Sequence, residues 1–330
     1  MKKYDVIGLG NSLLDLTFEV EDTLLRDFGM KKGEMALIDK EKNKFILKSL
    51  EKHSSKMSPG GSCSNTIAGV SILGGKTAFL GKIGTDELGK IYELKTKDLG
   101  VQARFSKHKE LSTGNAITFI TPDKERSFAV YLGASNCLDD SVISESTISN
   151  SGILHLEGYN LEPGESRTTS LKAIDIAKNN STKISLDLSD SSVVHRNLDF
   201  LKEVAKGVDI LFVNESEALA FTGKVPEKAL DHISRLCRIA VVKLGEKGSL
   251  IKSEGKTFII PPFKAKLVNT NGAGDMYAAG LLYGISKKIG LEKSGKLASF
   301  AASLVVSSNG ARLEKDLIII LDTYKSELGL

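Results

Sequence analysis

From about residue 150 the chain alternates short apolar runs with longer amphipathic ones, and this rhythm restricts the fold more than any other feature. Runs at 153–157, 183–188, 209–213 and 239–244 have the length of buried strands, and runs at 166–178, 197–206, 215–221 and 228–237 have helical periodicity. Neighbouring parallel strands need a crossover helix, so the pattern predicts βαβ units and a doubly wound α/β sandwich with a mostly parallel sheet. Upstream, Tyr4 to Gly10 and Thr77 to Gly81 read as strands, and Asp86 to Leu99 as a polar-faced helix. Two β-rich runs, 115–121 and 127–131, flank Pro122-Asp123-Lys124-Glu125 and predict a hairpin. Helical patterns at 273–287 and 293–308 follow on either side of Gly290. No linker or repeat divides the chain. The reading is one α/β domain over 1–330, with a small β-rich lid built from segments within about 11–40 and 101–135.

Composition narrows the function classes. Hydrophobic residues at 41% and charged residues at 26% suit a globule and exclude wholesale disorder or a collagen-like repeat. The net charge of +4 is spread along the chain, and no basic stripe is interleaved with aromatics, so nucleic acid is not an expected partner. Cys63, Cys137 and Cys237 lie far apart without metal-type spacing, which fits a reducing compartment. The apolar run at the N-terminus stops at Gly8 and Gly10, too soon for a signal peptide, and the run 297–306 contains Ser299 and Ser303. A cytoplasmic protein with no membrane partner is expected. Its oligomeric state, monomer or homodimer, stays open, because an exposed sheet edge serves either. The histidines form no pair at ligand spacing and read as surface or satisfied polar groups.

Two glycine-rich stretches carry the chemistry. Gly8-Leu9-Gly10-Asn11-Ser12-Leu13 follows a strand like a dinucleotide fingerprint, but Leu13 replaces the third glycine, and Asp15 comes too early to be the ribose acid. Two readings remain: a plain strand-end turn, or a polar substrate site with Asn11 and Asp15 at the carboxyl end of a strand. Asn269-Thr270-Asn271-Gly272-Ala273-Gly274-Asp275 runs directly into an apolar helical pattern. Small residues there leave helix-start N–H groups open to an anion, aided by the helix dipole. Asp275 falls in the first turn, as a base for an incoming hydroxyl or as an ordinary helix stabiliser.

The second stretch resembles the Asp-Thr-x-Gly-Ala-Gly-Asp signature of the ribokinase-like carbohydrate kinases, the family named for a minor phosphofructokinase. Gly60-Gly61-Ser62-Cys63-Ser64-Asn65 resembles that family's Gly-Gly-x-x-x-Asn signature, and the run from Gly81 to Gly89 its Gly-x-x-Gly-x-Asp-x-x-Gly. Asn214-Glu215-Ser216-Glu217 is similar to its Asn-x-x-Glu motif, and Lys243 to Gly248 to its nucleotide loop. The landmarks occur in family order, from Gly8 to Gly310-Ala311. Within the family, the opening from Gly8 to Asp15 is similar to that of adenosine kinases, as are Arg126-Ser127 and Ala134-Ser135-Asn136-Cys137.

The resemblance implies a ribokinase-like αβα sandwich and ATP-dependent phosphorylation of a primary hydroxyl, with adenosine as the leading acceptor and a free sugar as the alternative; a non-catalytic ligand-binding protein that reuses the fold is the remaining rival, which an intact Asp275 with its glycine loop argues against. It implies Asp275 as the base and Gly272, Ala273 and Gly274 as an anion hole for the phosphoryl group. Asn11, Asp15, Gly61 and Asn65 would grip sugar hydroxyls, Arg126 would reach the phosphates, and Leu13, Leu132, Ala134 and Tyr159 would form a base wall. On the ATP side stand Lys243, Gly245, Gly248 and Asn309, while Asn214 and Glu217 would organise Mg²⁺ through its waters. Cys63 reads as a small packing residue within the substrate-side motif. One departure concerns the monovalent-cation site of relatives. Its usual Asp is Asn269 here, and one negative charge fewer weakens the grounds for potassium activation.

Overall fold

The computed structural model describes residues 2–308, 310–313 and 315–328. β1 (Tyr4–Leu9) opens the main sheet, and the chain then crosses into a second sheet as β2 (Leu13–Glu19). After α1 (Asp22–Asp27), β3 (Met35–Leu37) and α2 (Lys40–Ser49), β4 (Lys56–Gly60) returns antiparallel to β2. Next come α3 (Ser62–Ile72), β5 (Thr77–Gly84), α4 (Glu87–Asp98) and β6 (Gln102–His108). The expected hairpin forms as β7 (Gly114–Ile120) and β8 (Arg126–Tyr131). Short α5 (Glu145–Ser149) leads to β9 (Ser151–Glu157), α6 (Glu165–Asn179), β10 (Lys183–Asp187), α7 (Ser191–Ala205) and β11 (Ile210–Asn214). Then follow α8 (Glu215–Thr222), α9 (Pro226–Ile233), β12 (Ile239–Lys243), β13 (Ser249–Ser253) and β14 (Lys256–Ile260). Helices α10 (Ala273–Ser286), α11 (Leu291–Val306) and α12 (Lys315–Glu327) complete the order.

The main sheet runs β14-β13-β12-β11-β10-β9-β1-β5-β6, and the small one β3-β8-β7-β2-β4. From β12 to β6 every pairing in the main sheet is parallel, as the alternation predicts. Side chains divide by the strand period of two. Ile210 and Phe212 enter one core with α10 and α11, while Leu211 and Val213 enter the other with α6 to α9. The sheet is therefore covered on both faces, as doubly wound folds require. In the small sheet, Leu14, Leu16 and Phe18 of β2 pack inward, leaving Asp15 and Thr17 on the opposite face.

The sequence reading is corrected in three places. β4, residues 56–60, belongs to the small sheet although it lies outside 11–40, and its Pro59-Gly60 looks like a turn rather than a strand. Conversely, β6 falls within 101–135 but pairs with β5 in the main sheet, a partnership that local sequence does not encode. α7 starts at Ser191 rather than Asn197; Asp190 caps it, and Asn197 sits at a kink with φ −129°. The unforeseen hairpin of β13 and β14 turns at Glu254-Gly255, with φ of 50° and 77°. Positive φ at both central residues matches the twist of paired strands. Among the described residues, no helix is long and apolar enough to cross a membrane.

Candidate active site

The parallel strands end on one edge of the sheet, and their last residues gather there. β1 leads to Asn11, β9 ends at Glu157, β10 at Asp187, β11 at Asn214 and β12 at Lys243. The start of α10 faces this edge. Gly272 caps it at φ +77°, and a Cβ there would stand 2.1 Å from the Ala311 carbonyl oxygen, so only glycine fits. The Ala273 N–H turns back to Thr270 O at 3.2 Å, while those of Gly274 and Asp275 have no partner among the described residues. Lys243 Nζ lies 3.3 Å from where a Cβ on Gly274 would be. An ammonium and open helix-start N–H groups thus share one corner, the arrangement an anion needs.

Asp275 meets α3 at its own first turn. Its Oδ1 accepts from Ser62 Oγ at 2.7 Å and its Oδ2 from Asn65 Nδ2 at 2.9 Å. Burial pushes its carboxyl up to about 6; the two hydrogen bonds pull against that rise, and Asp187 adds to it. The carboxyl is therefore mostly ionised near neutrality yet still able to take a proton. Asn65 is engaged at both ends, because its Oδ1 accepts from Arg312 Nε at 2.8 Å.

Asp15, on β2, faces Gly60, where a Cβ would come within 2.4 Å of Oδ1. Burial raises it to about 7, against the pull of Arg312 and with help from Asp275. Glu157, wholly buried, accepts the Asn11 N–H at 2.8 Å and the Cys63 N–H at 2.7 Å, and burial lifts it to about 7. Gly61 adopts φ +93° against the Asn11 carbonyl, 2.2 Å from its would-be Cβ. The expected wall is uneven. Leu13 and Leu132 are half-buried and Tyr159 is 41% exposed, whereas Ala134 is enclosed and offers no surface. Arg126 is half-buried on β8, and its side chain has no hydrogen-bond partner among the described residues. It lines a cavity with Asp15, Thr17, Thr118, Asn269 and Asn271. Asn269 Oδ1 accepts the Asn271 N–H at 3.1 Å.

On the other side, Asn214 and Glu217 form a reciprocal cap of α8, with the Glu217 N–H donated to Asn214 Oδ1 at 2.9 Å and the Asn214 N–H to Glu217 Oε2 at 2.9 Å. Glu217 is 1% exposed, and burial raises it to about 7 although Lys243 opposes. Both Glu217 oxygens are taken by Asn214 donors, Oε2 by the N–H and Oε1 by Nδ2, so the pair could meet a hard cation only through that cation's waters. Lys243 Nζ donates to Asp187 Oδ2 at 2.6 Å. Burial works against its charge, but Asp187, Glu217 and Asp275 together hold its pKa above the usual value. Gly245 and Gly248 flank a short turn after β12. Asn309 lies outside the described residues.

Sequence reading missed Glu157, Asp187, Ser62 and Arg312. Glu157 ends an expected strand and Asp187 is the penultimate residue of another, so the rule that selected Asn11 and Asp15 could have found them. Ser62 is a variable position inside the glycine motif, and no local pattern marks Arg312. His155 proves fully buried, with Nδ1 3.0 Å from Ser185 Oγ and Nε2 unpartnered among the described residues.

These charges make a testable stability profile. Asp15, Glu157 and Glu217 at about 7 and Asp275 at about 6 bind protons more tightly than in the unfolded chain, where carboxyls titrate near about 4. Between about pH 4 and 7 the native state therefore holds more protons, and stability falls as pH rises. Burial pushes His155 down to about 4, which acts oppositely between about pH 4 and 6.5. Four groups outweigh one. The ligand-free protein is expected to melt higher at about pH 5.5 than at about pH 8 at fixed ionic strength. A higher Tm at the alkaline value would contradict this charge balance.

A buried carboxylate beside open helix-start N–H groups and an ammonium, at the carboxyl edge of a parallel sheet, is an arrangement suited to moving an anionic group onto a hydroxyl. The model of the pfkB family carbohydrate kinases matches residues 32–316, and the chain belongs to that family. It is 30% identical to a 5-dehydro-2-deoxygluconokinase of Clostridium botulinum over 76% of this chain and 78% of that protein. Among solved structures, an adenosine kinase from Sinorhizobium meliloti superposes with TM-score 0.87 and 32% identity, covering 98% of this chain and 99% of that one. A probable sugar kinase from Rhizobium etli does so with 0.88 and 31%, covering 99% and 100%.

Proposed function

We propose that this kinase transfers the γ-phosphoryl group of ATP to the 5′-hydroxyl of adenosine, giving AMP and ADP, in the cytoplasm as part of purine salvage. The carrying observation is Tyr159, an aromatic side chain 41% exposed just past Glu157 and within the field of Glu157 and Asp275. A ring near the group that takes the hydroxyl proton suits a sugar bearing a flat base. The likeness to the Sinorhizobium adenosine kinase supports the same reading. Asp275 takes the hydroxyl proton as the oxygen bonds to the γ-phosphorus. The bond from that phosphorus to the bridging oxygen breaks, and ADP leaves with the electron pair. The Gly274 N–H and Lys243 meet the charge on the phosphoryl oxygens, with Arg126 approaching from the small sheet. Asn214 and Glu217 would hold hydrated Mg²⁺, which when bound neutralises phosphate charge.

The sugar-kinase reading is favoured by the 5-dehydro-2-deoxygluconokinase relative and by the enclosure of Ala134, which removes one wall residue. ADP release with adenosine, ribose, fructose and 5-dehydro-2-deoxygluconate decides between them. Covering a base face at about 25 cal/mol per Å² contributes about 2 kcal/mol, roughly thirtyfold in affinity. Adenosine should therefore exceed ribose in kcat/KM by at least about tenfold. Leu132→Asp should erode that preference while harming ribose turnover less. A sugar that matches adenosine ends the nucleoside reading.

A further inference from the structure

Arg312 lies in none of the motifs that mark the site, yet it reaches its centre. Its Nε donates to Asn65 Oδ1 at 2.8 Å and Nη2 to Ser64 Oγ at 2.9 Å, while Nη1 is enclosed without a hydrogen-bond partner among the described residues. Asn65 passes the contact on, donating from Nδ2 to Asp275 Oδ2 at 2.9 Å. An amide has one accepting and one donating end. Turned over, Asn65 would set its oxygen against the Asp275 carboxylate and its NH₂ against the guanidinium, both repulsive. Arg312, which can only donate, therefore fixes which end faces the base.

We propose that Arg312 is a positioning residue for the phosphoryl transfer: by orienting the Asn65 amide it keeps a hydrogen-bond donor on Asp275 and the base ionised. The assignment rests on Asp275 acting as the base. Other groups share its field. Asp187 raises the Asp275 pKa and Lys243 lowers it, with the Asn65 and Ser62 bonds on the lowering side. Asp15, Glu157 and Cys63 also feel its charge, as does Tyr159. Arg312 itself interacts with Tyr92, Asp15 and Asp275. Loss of the guanidinium thus removes a cation and releases the amide, and both changes make Asp275 harder to ionise.

The test compares wild type, Arg312→Met and Arg312→Lys by ¹³C-carboxyl NMR titration, with Asp275→Asn identifying the resonance. In parallel, kcat is followed against pH using whichever of adenosine, ribose and 5-dehydro-2-deoxygluconate is turned over. Arg312→Met should move the Asp275 midpoint and the acid limb of kcat upward by about one pH unit. At about pH 6 kcat should fall roughly five- to tenfold and recover above about pH 8, with both KM values within about threefold. Arg312→Lys keeps the charge but loses the fork, so its shift should be smaller and of the same sign. In an Asn65→Leu background, Arg312→Met should add less than half the shift it causes alone. An unmoved midpoint in the folded variants, or a shift undiminished without Asn65, overturns the proposal. If Arg312→Met does not fold, the Lys variant decides alone. If Asp275→Asn keeps its turnover, the base reading fails, while the NMR midpoint still judges Arg312.

Discussion

Asp275→Asn is expected to lower kcat by about 10² to 10⁴ while leaving acceptor KM within about tenfold. The expectation follows from what the carboxylate touches. Ser62 and Asn65 both donate to it, and an amide of the same shape can still accept one of those bonds, so the local packing survives. What disappears is proton affinity, since an amide oxygen cannot take the hydroxyl proton at neutral pH. The cradle at Gly272 and Gly274 and the ammonium of Lys243 remain, so residual catalysis should persist. Steady-state kinetics over the acceptor panel, with ADP release as the readout, make the comparison. Near-normal turnover would mean that the carboxylate only stabilises the helix start.

Lys243→Met should destabilise the protein by about 3–5 kcal/mol, the cost of leaving one buried partner of an ion pair alone. The pair is enclosed, with side chains 14% exposed for Lys243 and 4% for Asp187. Removing the ammonium strands Asp187 and withdraws the charge that partly offsets Glu217 and Asp275. The double variant Asp187→Asn/Lys243→Met should recover most of this stability, because an Asn oxygen can still accept the Ser189 N–H that Asp187 holds at 3.1 Å. Activity should not recover with it: the phosphoryl group loses its cation in both variants. Urea unfolding at pH 7 and kcat on the same samples separate the two effects. Equal stability of wild type and Lys243→Met would show that the lysine is no counter-charge.

The parallel half of the fold was legible because buried strands and amphipathic crossovers leave opposite periodicities in the chain. β4 and β6 were not, since which sheet a strand joins depends on partners distant in sequence. The helix start at Gly272 to Asp275 could be read because small residues run there straight into an apolar helical pattern. Arg312 could not: its role exists only through contacts with Ser64 and Asn65, about 250 residues earlier. Asn214 and Glu217 illustrate a different limit. The same spacing makes a helix cap and a metal-organising pair, and the structure contains the cap in full.

The small sheet joins the main one through four crossings, near residues 10–13, 60–63, 109–113 and 132–133. Glu157 grips the first two by the N–H groups of Asn11 and Cys63. Asp86 grips the third, taking the Thr113 N–H at 3.0 Å and its hydroxyl at 2.5 Å, and the Ala134 N–H ties the fourth to Ser112 O at 2.9 Å. Two carboxylates thus pin three of the four crossings at the root of the small sheet. Asp15 and Arg126 ride on that one sheet, joined through β7, so a displacement of either takes the other with it.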